Sequence, residues 1–190
     1  RETLLPCINS LRQQEVPAGY EIKIMVIDNS PQALLNGYFS GLADDGLQVL
    51  CIHEPVAGIP FARNAALKAS MAAGADLIAF IDDDEIAPRE WISRLIRCHE
   101  TRSADVVVGG VQRAITVDEA TDWVQRFQSV ADFQAMPVVR TAVTSNVLFD
   151  TRFVRRPYDI KFDEKMVFGG SDREFFMRVY MAGAKIILAE

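Results

Sequence analysis

The acidic run Asp82-Asp83-Asp84-Glu85 is where residue type and spacing point most directly to chemistry. It follows the short apolar stretch 76–81, which is typical of a buried β-strand. Carboxylates crowded at a strand end repel one another and lose hydration. A divalent cation relieves both effects because hard cations prefer oxygen ligands. Ligands of open α/β sheets bind at the carboxyl ends of strands. We therefore expect Mg²⁺ or Mn²⁺ here, held against a substrate diphosphate; the alternative is a solvated turn.

Two further polar side chains fall at the same edge of the expected sheet. Asp28 ends another apolar stretch, where its carboxylate either stabilises a turn or accepts hydrogen bonds from the base or ribose of a nucleoside. Arg63 lies in the first turn of a helix that Gly58 opens, and an arginine there can contact the base or phosphate of a nucleotide.

The sequence Ser171-Asp172-Arg173-Glu174 supports two interpretations at once. Ser171 and Glu174 match the S-x-x-E capping box, which predicts that a helix begins there. The same helix start would hold Asp172 rigidly over a pocket, which suits a general base. Capping therefore explains Ser171 and Glu174 and leaves Asp172 available for chemistry.

Two other features carry weaker hypotheses. Arg152, Arg155 and Arg156 form a basic cluster, for which a solvated surface is the main interpretation. A phosphate clamp and a contact with anionic lipid are the alternatives. Trp91 and Trp123 are expected in the core, although Trp123 could instead line an acceptor site.

Alternating strand and helix patterns define the sheet that must position these residues. The predicted strands are 21–28, 47–52, 76–81, 104–111, 144–149 and 185–188, and the predicted helices are 4–11, 61–73, 89–99 and 172–181, with a partly helical stretch at 117–130. This alternation predicts an α/β fold, with one domain whose mostly parallel central sheet is covered by helices.

Composition restricts the class of protein. The 190 residues suffice for one substantial domain, and the net charge of −6 argues against a nucleic-acid-binding protein. Three cysteines without a Cys-x-x-Cys pair indicate neither a disulfide framework nor a zinc site, and two histidines disfavour a transition-metal site. No apolar run is long enough to span a membrane. We expect a cytoplasmic protein with reduced thiols.

These motifs, in this order, resemble those of the family 2 glycosyltransferases, which have the GT-A fold. The resemblance covers nearly the whole chain, and the combination is more specific than any one motif. The matching segments are Ile27-Asp28-Asn29-Ser30, Ala62-Arg63-Asn64, Phe80-Ile81-Asp82-Asp83-Asp84-Glu85 with Pro88 and Trp91, Gly109-Gly110, Ser145-Asn146, and Phe168-Gly169-Gly170-Ser171-Asp172-Arg173-Glu174-Phe175-Phe176 with Arg178.

The resemblance implies a metal-dependent, inverting transferase with a Rossmann-like GT-A domain and a nucleotide-diphosphate sugar as donor. Asp28 and Arg63 would contact the nucleoside. Asp82 and Asp84 would form the DxD motif that binds Mg²⁺ or Mn²⁺, with Asp84 as the main ligand. Asp83 would lie near the ribose or the sugar.

Asp172 would then be the catalytic base that deprotonates the acceptor hydroxyl, although the family commonly has Glu where this chain has Ser171. The acceptor would be a glycan or a lipid-linked molecule of polysaccharide or glycoconjugate synthesis, and no nucleic acid is implied. Peripheral association with the inner face of the membrane stays open. Residues 1–190 are expected to form a single GT-A-like catalytic domain without its first strand and its C-terminal end.

Two other functions remain as alternatives. A catalytically silent domain would bind the sugar nucleotide or a glycan without turnover. A haloacid-dehalogenase-like phosphohydrolase is suggested by Asp82-x-Asp84-x-Ile86, but the corresponding loop of those enzymes usually follows the first strand, and here at least two strands precede it.

Overall fold

The computed structural model describes residues 2–35, 37–39, 47, 49–110 and 139–189. Helices and strands alternate through most of this part of the chain, close to the pattern that hydrophobic periodicity predicts. In chain order the elements are α1 (Leu4–Arg12), β1 (Ile24–Asp28), β2 (Val49–His53), α2 (Ile59–Ala72), β3 (Leu77–Ile81), α3 (Trp91–Arg102), β4 (Val106–Val108), β5 (Asn146–Asp150), a 3₁₀ turn (Thr151–Phe153), α4 (Ser171–Met181) and β6 (Ile186–Leu188).

The strands form a pair and a four-stranded sheet. β1 and β2 are parallel, with Asp28 opposite His53 at their carboxyl ends. The larger sheet has the order β3-β5-β4-β6, in which β4 and β6 are parallel and β5 runs antiparallel to both β3 and β4. The predicted α/β class is confirmed. The direction of β5 makes two of the four described pairings antiparallel, and it brings Asn146 opposite Ile81 at the edge where the acidic run begins.

The four-stranded sheet lies between two helical layers. Residues that alternate along a strand face opposite layers, as the two-residue period requires. Val106 and Phe149 pack with α2 and α4 in one apolar cluster, and Val107 and Leu148 pack with α3 in another. These strands are therefore buried on both faces, which explains why their sequences are continuously apolar.

Helix α1 connects the smaller sheet to the acidic run. Its residues Leu4 and Ile8 pack against Ile24 of β1 in a third apolar cluster. On the same helix the thiol of Cys7 donates to the backbone oxygen of Asp82 over 3.6 Å, and the backbone N–H of Ala87 donates to Ser10 Oγ over 3.0 Å. The segment after β3 is thus held against α1.

Some expectations differ from the structure or fall outside it. The strand predicted at 104–111 extends only over Val106–Val108 among the described residues. The partly helical stretch expected at 117–130, with Trp123, lies outside them. None of Cys7, Cys51 and Cys98 forms a disulfide. Within the described ranges, no helix has the length and apolar character needed to cross a membrane.

Candidate active site

The acidic run forms an exposed turn directly after β3. The side chains of Asp82, Asp83 and Asp84 are exposed, and the backbone N–H of Glu85 donates to the oxygen of Asp82 over 3.2 Å. Partial desolvation raises the pKa of Asp82, and the negative charges of Asp84 and Asp83 raise it further, while the cation of Arg63 opposes them. The turn therefore concentrates negative charge that the protein itself only partly neutralises.

The donor set of this turn fits a hard divalent cation. Asp82 and Asp84 offer carboxylate oxygens, which Mg²⁺ and Mn²⁺ prefer, and their exposure leaves room for further ligands. Across the described residues, no three His, Cys, Asp or Glu side chains are arranged as a metal cage. Magnesium commonly binds through one or two carboxylates, with phosphate oxygens and water completing its shell, so a protein cage is not required.

Arg63 connects the acidic turn to the start of α4. Its Nη1 donates a hydrogen bond to Ser171 Oγ over 2.9 Å, across 108 residues of sequence. Burial lowers the pKa of Arg63, and the charges of Asp172 and Asp82 raise it. An arginine stays cationic under such influences. One half-buried cation therefore interacts with both the predicted metal ligand and the predicted base.

The start of α4 differs from the predicted capping box. The helix begins at Ser171, its N-cap is Gly170 with φ +79°, and no side chain caps it. The predicted start of the helix is confirmed, but the predicted capping hydrogen bonds are not formed, because both side chains have other partners: Ser171 accepts from Arg63, and Glu174 pairs with Arg178 one turn later. Asp172 lies in the first turn, half-buried, with Oδ1 accepting from the backbone N–H of Arg173 over 2.8 Å. This hydrogen bond leaves Oδ2 of Asp172 available for other partners.

Asn64 has a positioning role that the sequence pattern did not reveal. Its amide donates to the backbone oxygen of Phe162 over 3.0 Å and accepts from the N–H of the same residue over 2.9 Å. It also donates to Glu164 Oε1 over 3.2 Å. These contacts span 98 and 100 residues, so the only signal in the sequence was the presence of Asn64 beside Arg63.

Asp28 is buried at the end of β1, with 5 % of its surface exposed. Oδ1 accepts from the N–H and the hydroxyl of Ser30, at 3.0 and 2.5 Å, and Oδ2 accepts from the N–H of Leu35 at 2.7 Å. Burial opposes ionisation, but these hydrogen bonds outweigh it and lower the pKa of Asp28. The turn interpretation is confirmed; the predicted contact with a nucleoside stays a prediction.

Asn29, next along the chain, fixes the segment before α2. Its amide donates to the backbone oxygens of Glu54 and Val56, over 2.8 and 2.7 Å, and its oxygen accepts from the N–H of Gly58 over 2.9 Å. The residue that reads as a simple turn former in the sequence thus positions the loop that leads to Arg63.

Asn146 fixes a third segment of the same edge. Its Oδ1 accepts from Trp91 Nε1 over 2.8 Å, and its Nδ2 donates to the backbone oxygen of Gly110 over 3.0 Å. A Cβ on Gly109 would lie 2.1 Å from Asn146 Oδ1, so only glycine fits there. Trp91 packs partly buried against the α3 cluster, as expected of a core residue.

The basic cluster lies elsewhere. Arg152 forms an ion pair with Asp105, and Arg155 donates to the backbone oxygen of Ala75. Both flank the amino end of β3, whereas the acidic turn follows its carboxyl end. The structure therefore does not bring these arginines together with the predicted diphosphate site.

Known proteins match this sequence and this fold. The profile of Glycosyl transferase family 2 matches residues 1–166. The succinoglycan biosynthesis protein ExoM of Rhizobium meliloti (strain 1021) is 29% identical over 192 residues, which cover 98% of this chain and 60% of ExoM. The chain therefore spans less than two thirds of the length of this curated relative.

Two solved structures show the same fold. TarS 1–349 of S. aureus, in complex with UDP-GlcNAc, is 18% identical with a TM-score of 0.73, over 99% of this chain and 52% of TarS. GalNAc-T7 with UDP, GalNAc and Mn²⁺ is 14% identical with a TM-score of 0.68, over 98% of this chain and 39% of that one. At such identities the likeness shows the fold alone. Since the family profile matches most of the sequence, the chain belongs to glycosyltransferase family 2.

Proposed function

We propose that this protein transfers a sugar from a nucleotide-diphosphate donor to a hydroxyl of a glycan acceptor, with inversion, in polysaccharide synthesis. The observation that carries the proposal is the position of Arg63, whose cation interacts with Asp82 and Asp172 and whose Nη1 holds Ser171. It makes the acidic turn and the start of α4 neighbours of the same cation. ExoM, TarS with UDP-GlcNAc, and GalNAc-T7 with UDP support the choice of reaction class.

In this reaction Asp172 accepts the proton of the acceptor hydroxyl as its oxygen bonds to the anomeric carbon of the donor. The bond from that carbon to the diphosphate oxygen breaks, and the bonding electrons leave with the nucleoside diphosphate. Attack opposite the leaving group inverts the anomeric configuration. A cation on Asp84 and Asp82, when bound, supplies Lewis-acid stabilisation of the leaving charge. General-base help at the acceptor is worth about 10²–10⁴-fold in rate.

The remaining site residues act on the donor. Asp28 and Arg63 contact the nucleoside, and Asp83 faces the ribose or the sugar. Arg63 also limits repulsion between Asp172 and donor phosphates bound at the acidic turn, because its cation interacts with both Asp172 and Asp82. Membership of family 2 leaves the phosphohydrolase alternative without support, since β1 and β2 precede the acidic turn.

The base assignment is tested with Asp172→Asn, with Asp159→Asn as the control. Asp159 is exposed and has φ +47°, a conformation that asparagine tolerates. Donor binding is measured first, as thermal stabilisation by UDP-, GDP- and dTDP-sugars with and without Mn²⁺. Asp172→Asn should keep that stabilisation and lose transfer by about 10²–10⁴-fold.

Unchanged transfer by Asp172→Asn would refute its role as base. Metal-dependent donor binding without transfer by the unaltered protein would instead support the catalytically silent binding domain. Absence of stabilisation by every donor would refute the donor assignment itself.

A further inference from the structure

The loop 163–170, which we call the rim loop, is tied at both ends to the second turn of α2. At its beginning, Asn64 exchanges two hydrogen bonds with the backbone of Phe162 and a third with Glu164. At its end, Arg63 donates to Ser171. Phe162 itself is stacked on Phe175 of α4, with ring centroids 4.2 Å apart. The ends of the rim loop are therefore fixed relative to the residues that are proposed to bind donor and accept the proton.

The middle of the rim loop exposes apolar side chains. Phe168 is fully exposed, at 102% of its reference surface, and Val167 is also exposed. A Cβ on Gly58 would lie 3.5 Å from Val167 Cγ1, so the loop lies against the start of α2. Val56 and Ile59, on either side of Gly58, are exposed as well. Together these side chains form an apolar rim, and contiguous exposed apolar surface is typical of a ligand or partner site.

Two glycines separate Phe168 from the proposed base. Gly169 has φ +122° and Gly170 φ +79°, conformations that other residues rarely adopt. A Cβ on Gly169 would meet no atom within 4 Å, so there is open space beside Phe168. Asp172 is four residues from Phe168, a span of at most about 14 Å. An oligosaccharide can therefore place one hydroxyl at Asp172 and a neighbouring ring at Phe168.

The charges near the rim favour a neutral glycan over a lipid surface. The rim loop carries Asp163 and Glu164 against one lysine, Lys165, and further acidic residues, Asp172 and the acidic turn, lie beyond it. The cytoplasmic leaflet carries negative surface potential, which attracts basic segments and repels an acidic edge. A pyranose ring is uncharged and presents C–H groups, which the negative face of an aromatic ring attracts.

We infer that Phe168 is the stacking platform of an acceptor subsite, on which a sugar ring of the glycan lies while its reacting hydroxyl faces Asp172. The inference rests on the proposed function and adds to it the residue that selects the acceptor. Arg63 and Asn64 are positioning residues for this platform, because they hold the two ends of the rim loop.

The test compares Phe168→Ala, Phe168→Leu and Phe168→Trp in transfer to neutral gluco-oligosaccharides of two to six units. Phe168→Ala should raise the acceptor KM by about 2–10-fold, as expected for one lost aromatic contact. The kcat at saturating acceptor and the stabilisation by donor should stay unchanged. Phe168→Leu should not restore the KM, whereas Phe168→Trp should. Met181→Ala, at the far end of α4 with 77% of its surface exposed, is the control and should change nothing.

A readout without turnover is the fluorescence of Phe168→Trp, which should change on titration with the same oligosaccharides after subtraction of the unaltered protein. An unchanged acceptor KM in Phe168→Ala, or a wild-type KM in Phe168→Leu, would overturn the stacking role. The proposed transferase activity is tested separately by Asp172→Asn, so failure of the one can be told from failure of the other. A KM effect confined to lipid-linked acceptors in anionic vesicles would also overturn it, in favour of a membrane contact. Failure of all oligosaccharides to bind would overturn the sugar-ring occupant.

Discussion

The strands β1 and β3 both end in an aspartate, and the two aspartates have opposite electrostatic environments. Asp28 is buried and accepts three hydrogen bonds, which lower its pKa despite burial. The side chain of Asp82 is exposed, and partial desolvation together with the neighbouring like charges raises its pKa. Within the described residues, the side chains of Asp82, Asp83 and Asp84 accept no hydrogen bond. The carboxylate of Asp28 is hydrogen-bonded by its own chain, whereas, in the part of the chain that the structure describes, those of the three aspartates in the acidic turn are not.

This comparison predicts opposite effects of the two aspartates on stability. Residues that are fully hydrogen-bonded contribute to the folded state, and their loss leaves donors unsatisfied. Carboxylates that repel one another reduce stability, and a bound cation relieves that repulsion. Their replacement should therefore raise the free energy of unfolding in the absence of a cation, and it should reduce activity much more than replacement of a hydrogen-bonded carboxylate does. Replacements of Asp84, Asp28 and Asp82 by Asn test this contrast.

Replacement of Asp84 by Asn should lower sugar transfer at least about 10²-fold, because loss of an outer-shell partner alone costs about 10–100-fold in metalloproteins. The variant should also lose the stabilisation by Mn²⁺ that we expect of the unaltered protein. Transfer and thermal unfolding with and without Mn²⁺ measure both effects. Glu21→Gln, whose side chain is 80% exposed and lies outside the site, is the matched control. Full activity of the Asp84→Asn variant would show that Asp84 is not a metal ligand.

Replacement of Asp28 by Asn should lower the free energy of unfolding by about 2 kcal/mol near neutral pH, since hydrogen bonds to a charged group are worth about 1.5–3 kcal/mol. Its pKa is lowered in the folded state, so this contribution is present above the ordinary pKa of Asp and is lost as pH falls through the folded value. Urea unfolding should show that the difference in free energy of unfolding between the unaltered protein and Asp28→Asn shrinks from neutral to acidic pH. A difference that does not depend on pH would contradict the electrostatic explanation.

Replacement of Asp82 by Asn should have the reverse sign and the smallest size, a gain of at most about 0.5 kcal/mol, because exposed charges interact weakly. Because the pKa of Asp82 is raised in the folded state, its contribution to the free energy of unfolding is favourable in acid. That contribution is lost as the pH rises through the pKa of the folded state. Removal of the charge therefore stabilises the protein at neutral pH in the presence of a chelator. A loss of stability in that experiment would show that attraction to Arg63 outweighs the partial burial of Asp82 and its repulsion by neighbouring carboxylates.

Local pattern was sufficient to predict most of the framework. The apolar stretches that became β1, β3 and β5, and the amphipathic stretches that became α1, α2 and α3, were located to within a few residues, since burial follows periodicity. The direction of β5 could not be predicted, because periodicity carries no information on strand direction, which depends on the neighbours that the strand meets. The predicted carboxyl-edge location of the acidic run depended only on β3 and is confirmed.

The capping box shows where local reasoning failed. Ser171 and Glu174 have the right spacing, but a cap forms only if no stronger partner competes for the side chains. Arg63, 108 residues away in sequence, donates a hydrogen bond to Ser171, and Arg178 forms an ion pair with Glu174. The hydrogen bonds of Asn64 could not be predicted for the same reason, since its partners Phe162 and Glu164 are similarly remote in sequence. Contacts of this kind carry no periodic signal.

The sequence alone determined the family, the strand that ends in the acidic run and the set of carboxylates available for chemistry, because these depend on residue types close together in the chain. Only the tertiary structure decided which aspartate is satisfied by its own backbone and which is not. It also placed Arg63 where it influences both Asp82 and Asp172, and it left Phe168 exposed on a loop held at both ends. The physical reason is that burial, charge neutralisation and long-range hydrogen bonding depend on which distant segments meet.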